Sequence, residues 1–256
     1  MAEILVRRDG AVGSAVGSIV ISNIPKHNAL TPEMCVALGT ALEELEADAS
    51  VRVIAIVGDG ERAFVSGADI GQFEKMKDQA AVEPPYMLPL RCEKPVIACV
   101  RGICMGGGLG LAAACDIRLC ADDAIFRMPA TRLGNAYTTS GIERIMSLIG
   151  PGNTADLFFS SRKFGADEAL RMGLVQRVFP AAGFATEAAA YCASVAENAP
   201  LAIAASKKGI RELLKDPARR DLASVEAARK AAMSSADFLE GRAAFMEKRT
   251  PVFKGA

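Results

Sequence analysis

The 256-residue chain has no tryptophan and only one histidine, His27. Its 30 lysines and arginines balance its 30 aspartates and glutamates, which argues against the basic surface of a nucleic-acid or membrane-surface binder. No apolar run reaches the roughly 18 residues needed to cross a bilayer, and the first residues lack a signal-peptide pattern. We therefore expect a cytoplasmic protein that binds neither nucleic acid nor membrane.

The seven cysteines include no Cys-x-x-Cys pair. Several of them, such as Cys99, Cys115 and Cys120, lie in apolar runs, where a free thiol behaves as a small hydrophobic side chain. A zinc site would also call for histidine, and the chain has only one. We expect reduced core cysteines and no metal centre.

Local patterns predict an α/β chain long enough for a sizeable core. Segments Glu3–Arg8 and Ser18–Asn23 mix β-branched and polar residues, which predicts an antiparallel hairpin. Thr31 followed by Pro32 predicts a helix start, because a capping hydroxyl precedes a proline at the first helical position. Segment Val51–Val57 is apolar enough for a strand that is covered on both faces.

The pattern becomes helical toward the C-terminus. Around Gly150 a Gly-Pro-Gly sequence interrupts one helical stretch, and Leu174–Phe179 predicts a further strand. From Gly183 onward the residues predict helices almost throughout. We therefore divide the chain into a core, residues 1–195, and a C-terminal helical region, residues 196–256.

The segment Pro95–Asp116 reads PVIACVRGICMGGGLGLAAACD. A β-branched run enters a Gly-Gly-Gly turn centred on Gly107, and an alanine-rich helical stretch follows. Backbone N–H groups at such a helix N-terminus bind anions or polarised oxygens. The same glycines satisfy the G-x-G-x-x-A fingerprint of dinucleotide sites, but Phe126–Ala130 offers no acid where that fingerprint requires one. We therefore favour a site for developing negative charge.

An ordered set of motifs along almost the whole chain resembles the crotonase (enoyl-CoA hydratase/isomerase) superfamily. The set comprises the glycine segment together with PKHNAL at 25–30, AFVSGADI at 63–70, FRMPATRLG at 126–134, ADEALRMGLVQRV at 166–178 and EGRAAFMEKRTPVFKG at 240–255. The resemblance implies an α/β spiral of ββα units with a helical C-terminal region. It also implies a homo-oligomer, a trimer or a dimer of trimers. Its substrates would be acyl-CoA thioesters, with coenzyme A part of the substrate and no separate cofactor.

The resemblance implies an oxyanion hole formed by two backbone N–H groups, those of Ala68 and Gly107. Small residues flank both positions, so a thioester carbonyl could approach the main chain. The resemblance further implies a set of residues along the coenzyme A: Lys26, Ala29, Ala68, Asp69, Ile70, Phe245 and Lys248. The last two would reach it from a neighbouring subunit. Asp69 and Asp116 are expected to hold their turns by accepting hydrogen bonds from backbone N–H groups.

The chain departs from the hydratases of this superfamily, which use two glutamates. The first would stand where this chain has Gly110, and the second would follow Pro129, where it has Ala130. Tyr137 lies in a segment that resembles the tyrosine-bearing loop of the superfamily's methylmalonyl-CoA decarboxylases, although their pocket histidine is replaced here by Ala68. Its phenol would be a hydrogen-bond donor for a substrate carboxylate. Three functions stay open: a hydratase- or isomerase-like enzyme that stabilises an enolate, a decarboxylase, and a non-catalytic acyl-CoA-binding protein.

Overall fold

The structure, a computed structural model, describes residues 2–8, 15–69, 71 and 85–256. The strands in these residues are β1 (Glu3–Arg8), β2 (Val16–Ser22), β3 (Val53–Gly58), β4 (Ala63–Val65), β5 (Val96–Val100), β6 (Ile103–Met105), β7 (Ile117–Ala121), β8 (Ile125–Arg127), β9 (Phe164–Gly165) and β10 (Arg177–Phe179). The α-helices are α1 (Pro32–Ala47), α2 (Gly107–Ala114), α3 (Thr139–Ser160), α4 (Ala166–Arg171), α5 (Phe184–Ala196), α6 (Pro200–Leu214), α7 (Leu222–Met233) and α8 (Ala236–Glu247).

The strands form two sheets, and from β3 to β8 successive strands belong to one sheet and then to the other. A six-stranded sheet has the order β1-β2-β3-β5-β7-β10, and a four-stranded sheet has the order β4-β6-β8-β9. The successive pairs β3–β4, β5–β6 and β7–β8 each place one strand in the large sheet and the next in the small one. Helix α2 follows the second pair and α3 follows the third. The chain therefore advances as the expected spiral of ββα units.

The core lies on both faces of the large sheet. On one face Ile54 and Ile56 of β3 join a cluster with Phe64, Leu109 and Phe126, all at most 1% exposed. On the other face the alternate residues of β3 pack with α5 in a second cluster. Because both faces are covered, the strand has no polar alternation, as the apolar segment predicted.

The predicted hairpin and helix start are confirmed. Strands β1 and β2 pair antiparallel from Glu3 opposite Ser22 onward. The Thr31 side chain accepts a hydrogen bond from the Met34 amide at 3.2 Å, which caps α1. The predicted interruption is also present, since Gly150 has φ 74° and ψ 169° and kinks α3.

The strand predicted from Leu174 begins later, at Arg177, where β10 pairs with β7. The amides of Leu174 and Val175 both donate to the Ala169 carbonyl, at 2.9 and 3.3 Å. These donors are consumed in the turn after α4, so they cannot join the ladder. Gly173 supplies the φ of 83° that this turn requires.

The C-terminal helices α6, α7 and α8 follow the sheet region. Lys207 of α6 is buried and ties this helix to the core, donating to the Lys94 carbonyl at 2.8 Å and to the Asp116 carboxylate at 2.6 Å. The division at residue 195 stays a prediction. None of the helices that the structure describes is long and apolar enough to cross a membrane.

Candidate active site

The glycine turn joins strand β6 to helix α2. Gly106 has φ 53° and ψ −119°, a conformation that residues with a side chain rarely adopt. Its amide donates to the Arg127 carbonyl of β8 at 3.0 Å, which fixes the turn against the small sheet. Helix α2 begins immediately afterwards, so its first amides have no acceptor within the helix, and its first turn carries no acidic side chain.

Close packing sets where α2 stands. A Cβ on Gly108 would lie 2.2 Å from the carbonyl oxygen of Val65, so the helix backbone presses directly on the end of β4. A Cβ on Gly107 would instead lie 3.7 Å from the amide nitrogen of Ala68, at ordinary contact distance. The two residues expected to form an oxyanion hole are therefore neighbours, and both are only partly buried.

The orientation of Ala68 follows from a short parallel bridge with Leu30. The Leu30 amide donates to the Gly67 carbonyl, and the Asp69 amide donates to the Leu30 carbonyl, both at 2.8 Å. In a parallel pair the residue between these two bonds directs its own N–H away from its partner. Within the described part of the chain, neither the Ala68 amide nor the Gly107 amide donates a hydrogen bond. Both amides are therefore without an acceptor among the described residues.

The loop before α1 brings two of the expected coenzyme A residues together. Lys26 Nζ lies 2.6 Å from Asp69 Oδ2; the Asp69 side chain is 8% exposed and that of Lys26 is 56% exposed. This hydrogen bond from Lys26 lowers the pKa of Asp69. Asp69 Oδ1 also accepts from the Gly71 amide at 3.3 Å, as expected for a turn-holding aspartate.

Asn28 holds this loop, a role the sequence analysis missed. It is 1% exposed and has φ 58°, a left-handed conformation that asparagine tolerates. Its Oδ1 accepts from the Asn23 amide, and its Nδ2 donates to the carbonyls of Asp59 and Ala63. The Asn23 side chain in turn donates to the carbonyl of Ala29, which is buried. In the sequence, this role was indicated only by the presence of an asparagine before Ala29 and Leu30 in the motif PKHNAL.

The two positions at which the resemblance implies the glutamates of a hydratase lie close to the glycine turn. Gly110 is buried in the first turn of α2 and donates to the Gly106 carbonyl at 3.0 Å. Ala130 is 6% exposed and follows Pro129, whose ring lies 3.8 Å from a Cβ built on Gly106. Neither residue has a group that transfers a proton.

Tyr137 lies just before α3. Its ring centroid is 5.4 Å from that of Phe158, and a Cβ on Gly141 would overlap its ring edge. The ring thus packs against the main core, and its phenol oxygen is buried. A role for Tyr137 toward a substrate stays a prediction.

Phe245 and Lys248 lie at the end of α8, on the surface of the C-terminal helices. Phe245 is 83% exposed, and Lys248 ends the helix with φ 54°. Phe245 lines a cavity of ≈ 830 Å³ between α6, α7 and α8. Ile70, the remaining residue expected along the coenzyme A, lies outside the described residues.

The described residues contain no group of three or more histidine, cysteine or acidic side chains that could hold a metal ion. All seven cysteines are buried and unbridged. Burial raises the pKa of the Cys115 thiol to about 12, which keeps it protonated and unreactive.

The Asp116 side chain holds the start of β5. Its Oδ2 accepts from the Val96 amide at 2.7 Å, as expected for a turn-holding aspartate, and also from Lys207. This link connects the end of α2 to the large sheet.

The chain is similar to known proteins along almost its whole length. The model of the family described as enoyl-CoA hydratase/isomerase matches residues 12–256. The short-chain-enoyl-CoA hydratase of Clostridium acetobutylicum is 32% identical over 253 residues, which cover 96% of this chain and 95% of that protein. The carnitinyl-CoA dehydratase of Escherichia coli O157:H7 is 33% identical over 240 residues, covering 90% of this chain and 92% of that protein.

The fold also matches solved structures. The crystal structure of an enoyl-CoA hydratase/carnithine racemase from Magnetospirillum magneticum aligns with a TM-score of 0.91 at 31% identity, covering 100% of this chain and 97% of that one. An enoyl-CoA hydratase from Bacillus anthracis aligns with a TM-score of 0.86 at 30% identity, covering 99% of both chains. These matches confirm the expected fold class.

Proposed function

Because the chain belongs to the enoyl-CoA hydratase/isomerase family, we propose that it stabilises the enolate of an acyl-CoA thioester in a backbone oxyanion hole. The donors are the N–H groups of Ala68 and Gly107. The family match also confirms the resemblance drawn from the sequence motifs. It supports an acyl-CoA enzyme of the hydratase type, and leaves the reaction itself to be proposed.

One observation carries this proposal: two neighbouring amides, from separate segments, donate to no described group and border the same small space. A thioester oxygen placed there would accept a hydrogen bond from each. When the α-carbon loses a proton or carbon dioxide, negative charge moves onto that oxygen. One well-placed donor lowers such a barrier by about 3 kcal/mol, so two donors bring an enolate within reach.

The proton chemistry follows from what stands at Gly110 and Ala130. Hydration of a conjugated double bond needs groups that handle two protons, and these two positions supply none. A hydratase- or isomerase-like reaction in this protein would draw its acid and base from elsewhere in the pocket.

Decarboxylation is the second candidate, and the lack of a carboxylate at both positions favours it. The bond from the α-carbon to the carboxylate breaks, its electron pair enters the thioester as an enolate, and carbon dioxide leaves. No enzymic base is required for that step. Tyr137 would orient the leaving carboxylate by donating a hydrogen bond from its phenol.

Coenzyme A would lie along the loop before α1. Lys26 has three N–H donors, and its bond to Asp69 leaves two for a phosphate of the coenzyme. The backbone at Ala29 and Ala68 would also lie along the coenzyme.

The C-terminal helices would contribute through a second copy of the chain. Exposed apolar side chains, including Phe245 and Met246 at 83% and 79% exposure, surround the cavity between α6, α7 and α8. Large apolar patches of this kind mark subunit contacts. A trimer or a dimer of trimers would cover this surface and bring Phe245 and Lys248 to a neighbouring subunit's coenzyme A.

Incubation with crotonyl-, malonyl- and methylmalonyl-CoA, followed by mass spectrometry, tests the reaction. Gain of water indicates hydration, and loss of carbon dioxide indicates decarboxylation. Deuterium entering the α-carbon from heavy water shows that the oxyanion hole works even with a non-native substrate. If all three thioesters bind unchanged and no deuterium enters, the protein is a non-catalytic acyl-CoA binder and the enzymatic proposal fails.

A further inference from the structure

Two arginines from separate elements meet at the C-terminal end of α2. Arg144 of α3 donates to the carbonyls of Ala113 and Cys115, at 2.6 and 3.0 Å. Arg118 of β7 donates to the same Cys115 carbonyl at 2.8 Å and to the Leu174 carbonyl at 2.6 Å. Arg144 thus binds one of the last carbonyls of the helix that carries Gly107, and both guanidinium groups bind the carbonyl of Cys115, the residue that follows this helix.

These two charges have an unusual environment. Among the described residues, neither guanidinium has a carboxylate partner, and Arg118 is only 2% exposed. The nearby Asp116 carboxylate is paired with Lys207 at 2.6 Å, and its charge also favours the charged form of both arginines without an ion pair to either. Burial lowers the pKa of Arg118 to about 10, which leaves it charged at neutral pH.

Burying a cation without a carboxylate is costly. Here the negative end of the α2 dipole lies beside the guanidinium of Arg144 and adds to the compensation that Asp116 gives. A single capping residue would satisfy these carbonyls without a buried charge. The chain instead places two charges at the C-terminal end of the helix whose other end borders Ala68.

We propose that Arg144 and Arg118 are positioning residues that fix the axis of α2 and strengthen the positive field at the Gly107 amide. This inference rests on the proposed oxyanion hole. A positive charge at the C-terminal end cancels the part of the helix dipole that opposes an anion at the N-terminal end. The eight residues of α2 span about 12 Å. Over roughly that distance, and at an effective dielectric constant of about 20, one charge changes the rate of enolate formation by about fivefold to tenfold.

The infrared carbonyl band of a bound thioester measures the field at this site directly. Butyryl-CoA labelled with carbon-13 at the thioester carbonyl is the probe, because it has no leaving carboxylate. In the wild-type protein the band should move to lower wavenumber on binding. Arg144→Gln removes the charge while keeping a hydrogen-bond donor, and should reduce this movement. Arg144→Lys keeps the charge and should restore most of it.

The same variants separate positioning from general stability. Arg144→Gln should lower α-deuterium exchange or turnover by about fivefold, while the affinity for coenzyme A, which lacks the acyl carbonyl, stays unchanged. Arg52→Gln is the matched control. Arg52 also binds a helix-end carbonyl, that of Ala196 at the end of α5, together with the Phe253 carbonyl of the C-terminal tail, but α5 does not border the site. This control should lower the free energy of unfolding, while the band movement on thioester binding stays at its wild-type value.

Arg144→His serves if the glutamine variant does not fold. Its imidazole gains charge on acidification, at a pH that NMR titration of the folded variant measures, so one folded protein reports both charge states. The band movement should increase on acidification. The positioning role would be overturned if the band movement of Arg144→His stayed the same while its imidazole gained charge. It would also be overturned if Arg144→Gln kept the wild-type band movement. No band movement in the wild-type protein would instead refute the oxyanion hole itself.

Discussion

Replacing Gly107 with alanine tests the oxyanion hole with one methyl group. The new Cβ would lie 3.7 Å from the Ala68 nitrogen and would meet no closer atom, and Gly107 has no left-handed φ to be strained. The variant should therefore fold. Alanine in place of glycine in a helix adds up to about 1 kcal/mol of stability.

The same methyl group occupies the space that a thioester oxygen needs. Hydrogen bonds to both amides require N···O distances of about 2.9 Å, which the oxygen cannot reach past a methyl at that position. One lost donor costs about 10²-fold to 10³-fold in rate, so Gly107→Ala should lose at least about 10²-fold. Turnover of whichever thioester the wild-type protein converts, or its α-deuterium exchange, measures this loss, and urea unfolding measures stability.

Two neighbouring substitutions complete the experiment. Gly209→Ala in α6 makes a similar ordinary contact, 3.6 Å from Val225, and should leave the rate at its wild-type value. Gly108→Ala would place a Cβ 2.2 Å from the Val65 carbonyl oxygen and should lower the free energy of unfolding by about 1–3 kcal/mol. A folded Gly107→Ala variant with the wild-type rate would refute the oxyanion hole at these amides.

The remaining predictions concern the loop before α1 and the C-terminal end. Asn28→Ala removes three hydrogen bonds of a buried side chain and should destabilise the fold by about 3 kcal/mol in urea unfolding; an unchanged midpoint would contradict its holding role. Lys26→Met should raise the pKa of Asp69 toward its ordinary value. Because the folded pKa of Asp69 is lowered, its contribution is present above the unfolded pKa and is lost as the pH falls through the folded value. The stability gap between wild type and Lys26→Met should therefore narrow on acidification below about pH 4, and a constant gap would count against the ion pair. Lys248→Ala should weaken acyl-CoA binding more at low than at high salt, whereas equal affinities in calorimetry would remove Lys248 from the coenzyme site.

The sequence predicts those elements whose causes are local. Thr31 and Pro32 start a helix because a hydroxyl cap and a fixed φ act within one turn. Gly150 breaks a helix for the same kind of reason. The start of β10 was predicted too early because Leu174 has the side chain of a strand residue, while its amide is bound by Ala169 in the preceding turn. Hydrophobicity does not reveal where an amide donates.

The site divides in the same way. Gly110 and Ala130 are visible in the sequence as positions without a carboxylate, and the resemblance predicts Ala68 and Gly107 as the donors. The role of Arg144 is not visible, because the carbonyls it binds belong to a helix that precedes it by a whole ββα unit.

By itself, the sequence determines that a glycine turn opens a helix and leaves amides exposed, since backbone conformation there depends only on the residues of the turn. Only the tertiary structure decides that a second free amide stands beside the first. The parallel pairing of β4 with β6 sets how far along the strand direction Ala68 lies relative to Gly107. The bridge to Leu30 turns the N–H of Ala68 away from Leu30. Two donors that share one acceptor require this register, which forms only when distant segments of the chain pack together.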